Sequence, residues 1–284
     1  MSRLLAVELF KLRQRPLTRV LLLVLMAIVV LLYVVLWAVT GNALDAGSAD
    51  ADVLELRRNL FLREAVPFGL FLVSAFGTLL AVILAAGAVG TEFGWGTIRN
   101  MLTCSVSRLH FLGAKYLAVL LLVAVGTLVG LLTAVLVSGI ITAVDGGGDY
   151  GFVDGGYVWD SLVALLSTVY TMIPFITIAV FFGLWGRSTL AGAGAGIGVL
   201  VLEGIVAALM RQASGWVEQL PDYFPGVNAD AIVVANGLET SGLFGGRAVA
   251  QLPDPTIAAG VLAGYIVVFL AAAAWLFQRR DVVA

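Results

Sequence analysis

Charge is what this sequence has least of. Asp, Glu, Lys and Arg make up 12% of its 284 residues while 61% are hydrophobic, and soluble domains carry about twice that share of charge. An ordinary core cannot absorb so much apolar side chain, so much of it must face lipid. The single cysteine, Cys104, excludes an internal disulfide framework and any multi-cysteine metal site. The single histidine, His110, cannot supply the H-E-x-x-H pair of a metalloprotease. A formal net charge of −2, with no basic block, offers nothing to nucleic acid. No G-x-x-x-x-G-K-[ST] run occurs, and the Gly-Ala-Lys at 113–115 lacks the preceding glycine spacing, so no P-loop can cradle a nucleotide. No pair of aspartates lies within an apolar run. These absences disfavour hydrolase chemistry and exclude ATP hydrolysis by this chain itself.

What is present is a series of long apolar runs. A helix needs roughly 20 such residues to cross a core of about 30 Å. Six runs qualify: 17–39, 66–90, 111–144, 162–185, 190–210 and 256–277. They are continuous rather than alternating, which predicts helices and not barrel strands. All six tryptophans, Trp37, Trp95, Trp159, Trp185, Trp216 and Trp275, fall at or near run ends, where amphipathic rings suit the headgroup layer. The expected fold is therefore an all-α integral membrane protein with six transmembrane helices in a single domain. Six crossings put both termini on one side. With that side in the cytoplasm, eleven of the sixteen cations lie inside and five outside, as the positive-inside rule requires.

Two elements outside the spans are amphipathic. In residues 1–16, Leu5, Leu9 and Leu12 share one helical face and Glu8, Lys11 and Arg15 another, a pattern that predicts a helix lying on the inner leaflet before Pro16 turns the chain into the first span. The 91–110 loop reads TEFGWGTIRNMLTCSVSRLH. Within it Ile98, Met101 and Leu102 share a face, Thr97 is a candidate N-cap, and Ser107 is placed to cap the third span. A short helix at 97–106, tied directly to spans two and three, has the geometry of a lever; the bland reading is a passive interfacial helix. The outer loops cover about 40–65, 145–161 and 211–255, and Pro221, Pro225, Gly226 and Gly237 break the last into short pieces, one of them a candidate apolar helix at 229–235.

Few polar residues lie in or beside the spans. Glu203 is the only acid deep within one; it must face protein or water, which makes it a pathway or gate candidate, with Arg211 two turns away as a candidate partner. Packing against a hydrogen-bonding neighbour is the competing reading. Gly192 and Gly196 are spaced for close helix contact. Asp145, Asp149 and Asp154 fit no EF-hand or calcium-repeat spacing and read as a solvated linker. Arg57, Arg58 and Arg63 read as part of a surface helix, with an anion-attracting vestibule as the less favoured alternative.

The run Glu92-Phe93-Gly94-Trp95-Gly96-Thr97-Ile98-Arg99, followed by Leu102-Thr103, Ser107-Arg108 and Lys115, resembles the loop after the second span in bacterial ATP-binding-cassette export permeases of the type-2 family. The family pattern is roughly E-x-x-x-G-T-[IL]-R, then L-T, S-R and K; Val106 stands where a proline usually precedes S-R. The motif covers residues 91–115, while the six-span frame extends over the whole chain. The resemblance implies an N-terminal amphipathic helix and a coupling helix, carried here by Glu92, Gly96, Thr97, Ile98, Arg99, Met101 and Leu102, which docks on a separate ATPase subunit. It implies two ATPase subunits, with ATP and Mg bound there and no cofactor in this chain, and a second permease as homo- or heterodimer. The site is then the bacterial cytoplasmic membrane. Spans two and five should line the dimer interface, which places Phe71, Ser74 and Thr78 beside the path. The alternative is a secondary transporter, which would show inverted repeats and midplane carboxylates; one intramembrane glutamate and no visible repeat make it the poorer fit.

Overall fold

The computed structural model describes residues 2–48, 50–94, 107–145, 151–213, 215–237 and 252–279. Among these the chain is helical and contains no strand. The order is α1 (Ser2–Gln14), α2 (Pro16–Asp45), α3 (Ala51–Asn59), α4 (Ala65–Gly94), α5 (Arg108–Val144), α6 (Gly155–Gly186), α7 (Thr189–Met210), α8 (Pro225–Ala235) and α9 (Pro255–Arg279). Short 3-10 turns at Leu62–Glu64 and Gly215–Tyr223 lead into α4 and α8. Six helices, α2, α4, α5, α6, α7 and α9, are long and apolar enough to cross a membrane, and each contains one of the six apolar runs. The segment expected to form a coupling helix, with Gly96, Thr97, Ile98, Arg99, Met101 and Leu102, lies outside the described residues, as does Trp95.

The helices begin where the sequence offers a cap. Pro16 occupies the first turn of α2, where a missing N–H costs nothing. Ser107, Asp154 and Ser188 accept backbone N–H bonds at the starts of α5, α6 and α7. The α6–α7 connection is a tight turn in which Arg187 adopts a left-handed φ of 49°. This turn lays α7 back along α6 and sets its first residue on α4: a Cβ at Gly90 would stand 2.1 Å from the Thr189 nitrogen.

Burial sorts the spans into an inner pair and an outer shell. Of their apolar stretches, 61% is buried in α4 and in α6, 39% in α5, and 17% in each of α2, α7 and α9. α4 and α6 pack on each other, α7 lies against both, α5 packs on α4 and α2, and α9 packs on α6 and α8. The glycine spacing in α7 serves packing. A Cβ at Gly192 would meet the Ala179 carbonyl at 2.6 Å, and one at Gly196 would meet Val82 at 2.5 Å. The long segment between α7 and α9 folds partly back on the bundle. Its helix α8 starts four residues earlier than the apolar pattern alone indicates and buries Val227, Ala231 and Ile232.

The N-terminal helix turns part of its charged face into the protein. Glu8 is 2% exposed and Leu12 1%, so both turn into the protein, while Val7 and Phe10 face outward. The reason is a charge elsewhere in the chain that the helix covers.

Candidate functional site

That charge is Lys115, two turns inside α5 and 3% exposed. An ammonium in such surroundings needs carboxylates close at hand. Its Nζ donates to Glu8 Oε2 of α1 at 2.6 Å and to Glu92 Oε1 of α4 at 2.6 Å. Glu8 Oε1 also accepts from Lys11 Nζ at 2.9 Å. Arg15 adds a looser contact to Glu92 at 3.9 Å and donates through Nη1 to Thr91 Oγ1 at 2.8 Å. The Phe111 ring lies 5.1 Å from the Lys115 ammonium, close enough for a cation–π contribution. Burial pushes the Glu8 carboxyl up, but Lys115 and Lys11 outweigh it and hold the group below the ordinary carboxylate range. Glu8 is thus a carboxylate at neutral pH, and α1 is fastened by charge as well as by its leucines.

The same end of the bundle gathers a fourth helix. Arg108, in the first turn of α5, donates to the carbonyls of Gln278 at 3.1 Å and Phe277 at 3.4 Å, where a cation suits the C-terminal end of α9. Phe111 and Phe277 stack beside it with centroids 6.3 Å apart. The result is a rigid base made from α1, the last turn of α4, the first turns of α5 and the last turn of α9. α4 ends and α5 begins at this base, with Gly94 and Arg108 as their terminal residues.

Glu203 occupies a different place and has a defined job. It is 8% exposed on α7, and its Oε1 accepts from the backbone N–H of Gly226 at 2.6 Å and of Val227 at 3.1 Å. These are the second and third residues of α8, so the carboxylate acts as an N-cap supplied from another helix. A Cβ at Gly226 would lie 2.8 Å from Glu203 Oε1, so glycine is what lets the two approach. Arg211 bonds Asp222 at 3.0 Å, and Asn228 Nδ2 donates to the carbonyls of Asp222 and Phe224, which fixes the turn before α8. Of the two readings for Glu203, this geometry carries the hydrogen-bonded one.

The other path candidates sit apart from the charged base. Phe71 is half-buried and stacks on Phe68 at 6.4 Å. Ser74 is half-buried; its carbonyl accepts from Thr78 Oγ1 at 2.5 Å, and Thr78 is 5% exposed. On the opposite end of the bundle, Arg57 does not offer an anion vestibule. Its Nη2 donates to Asp145 at 2.6 Å and its Nη1 to the Trp37 carbonyl at 2.9 Å, with the Trp37 ring 5.7 Å away. Asp145 is thereby an ion-pair partner, and Asp154 caps α6 through Tyr157 N at 2.7 Å; Asp149 lies outside the described residues. Among the described residues no group of three His, Cys, Asp or Glu side chains is arranged to hold a metal ion.

Sequence reasoning found Glu92 and Lys115 as motif positions and Glu8 on the charged face of the N-terminal helix, but missed that the three meet. The signal was there. A lysine one turn into an apolar run demands an anion, and Glu8 is the one acid of the N-terminal helix.

Comparison with known proteins gives a family and a relative. The profile described as "Protein of unknown function (DUF2705)" matches residues 60–283. The chain is similar to the uncharacterized protein YhcI of Bacillus subtilis (strain 168), with 26% identity over 214 residues, which are 72% of this chain and 64% of that protein. The match thus covers a little under two thirds of the relative's length.

Proposed function

We propose, from the premise that the chain belongs to the DUF2705 family, that it is the membrane-spanning subunit of an ATP-driven exporter. It takes the stroke of a separate ATPase through the base of its second and third spans. One observation carries the reading: Glu92 and Lys115, the first and last charged positions of the run that resembles type-2 export permeases, close on each other in a buried ion pair at 2.6 Å. A lever works only if its ends are fixed to what it must move. Here the ends of segment 95–106 enter α4 and α5 at a point locked by three cations and two carboxylates. The chain itself supplies no nucleotide site; ATP and Mg belong to the partner, expected in two copies around two permease subunits. The bias of cations toward the side of α1 and of the 95–106 segment supports a cytoplasmic position for both, at the inner membrane of a bacterial cell.

The test is co-expression with the ATPase encoded beside this chain, purification through a tag on this subunit, and an assay of ATP hydrolysis. The expected result is a stable complex in which Arg99→Ala lowers hydrolysis at least several-fold without lowering the unfolding temperature of the permease. A chain that purifies without any ATPase in several detergents would sink the reading and favour secondary transport.

A further inference from the structure

A groove opens sideways between α2 and α5, with α4 as its floor. Its cavity volume is about 100 Å³, a narrow slot and not a full small-ligand pocket of several hundred Å³. Gly77, Ala81 and Leu84 form the floor, and Leu21, Leu22 and Gly126 form the walls. The groove is stopped at both ends. Toward the outer end Leu25 and Val73 close against Gly130, where a Cβ would stand 3.3 and 2.7 Å from them. Toward the N-terminal end Leu17 closes on Gly87, at 2.7 Å from a Cβ there. Its two hydroxyls are turned away from any ligand: Thr18 donates to the Leu12 carbonyl at 2.6 Å and Thr127 to the Val123 carbonyl at 2.9 Å. The site therefore offers hydrocarbon only. One wall is left open by design of the sequence: a Cβ at Gly126 would meet nothing within 4 Å.

We infer that this groove binds one acyl chain of an anionic phospholipid from the leaflet at the N-terminal end of the bundle. In a bilayer an apolar cleft that faces sideways is filled by what surrounds it, since empty walls forfeit dispersion contacts. The charge at its foot selects the head. Arg19 precedes Leu22 by three residues and so stands on the groove face one turn nearer the N-terminus. It is exposed, steadied by Gln14 Oε1 at 2.6 Å, and Arg13 is exposed close by in sequence. Among the described residues of this region the carboxylates Glu8 and Glu92 are buried against Lys115 and do not oppose an anion. A phosphodiester head at Arg19 with its chain along Leu22 and Gly126 satisfies both features. The inference does not depend on the exporter reading.

Native mass spectrometry of the protein taken from micelles with phosphatidylglycerol or phosphatidylcholine tests it. Wild type should keep a single phosphatidylglycerol and prefer it over phosphatidylcholine. Gly126→Leu should lose that lipid, Gly264→Leu, at an equally open glycine on α9, should keep it, and Arg19→Gln should keep a lipid but lose the preference. Independently of any variant, phosphatidylglycerol with a photoreactive mid-chain group should label peptides of α2 and α5 around Leu22 and Gly126 in the wild type. Even labelling over all six spans, equal retention of the two lipids by wild type, or an unchanged lipid count in a folded Gly126→Leu protein would each overturn it. So would cross-linking that finds a second copy of the chain in the groove.

Discussion

Lys115 shows how one residue can decide the placement of a helix 107 positions away. Its ammonium is 3% exposed and shared by two carboxylates that are themselves buried, so removing it leaves Glu8 and Glu92 facing each other with only the more exposed Lys11 and the distant Arg15 to offset their desolvation. Breaking a buried pair from one side costs about 3–5 kcal/mol, whereas replacing the whole set by well-packed neutral groups is often close to neutral. Lys115→Met should therefore lower thermal stability in micelles by an amount in that range. The triple change Glu8→Gln, Glu92→Gln, Lys115→Met should recover most of it. Strong non-additivity is the signature of side chains acting as one unit; losses that simply add would show that the three are independent.

At the scale of elements, α8 depends on a side chain that is not its own. Four N–H groups at the start of any helix need acceptors, and Phe224, at the N-cap position of α8, makes no side-chain bond to them. Glu203 supplies the acceptor from α7. Glu203→Leu should free α8 while the six spans persist: hydrogen exchange of residues 225–235 should rise by at least tenfold with little change elsewhere. Gly226→Ala should act in the same direction by pushing the carboxylate away. If both variants leave exchange of α8 unchanged, Glu203 is not its anchor. This contact also marks the limit of what the sequence made legible. The six apolar runs each lie within one helix because a segment in lipid has no alternative to internal hydrogen bonds. Their ends were less legible, since the turn at 155–161 is helical though it lies outside the apolar run, capped by Asp154 and seated through Tyr157. The apolar pattern located α8 from Ala229 onward but not its first turn, which rests on Pro225 and a cap from a residue 23 positions back. Lys115 with Glu8 failed in the same way. Pairings at such separations leave only a demand in the sequence, a charge or an acid where none is cheap, and the fold alone says what meets it.

For the whole molecule, the uneven burial of the spans bears on how two copies would meet. The path candidates Phe71, Ser74 and Thr78 lie on α4, which is largely enclosed by its own chain, with Thr78 at 5% exposure. α7 instead turns Leu202, Ile205 and Leu209 outward at 59%, 56% and 63%, on the side away from the glycines that pack on α4 and α6. Of the two spans named by the resemblance, α7 is the one with a face to offer, and α4 would reach a partner only over its exposed edge at Ala75. A disulfide forms only where two Cα atoms come within about 7 Å. In a Cys104→Ser background, Ile205→Cys should therefore give a covalent dimer on mild oxidation in native membranes, and Thr78→Cys should stay monomeric. Cross-linking at 78 but not at 205 would require α4 to turn out of its own bundle on assembly.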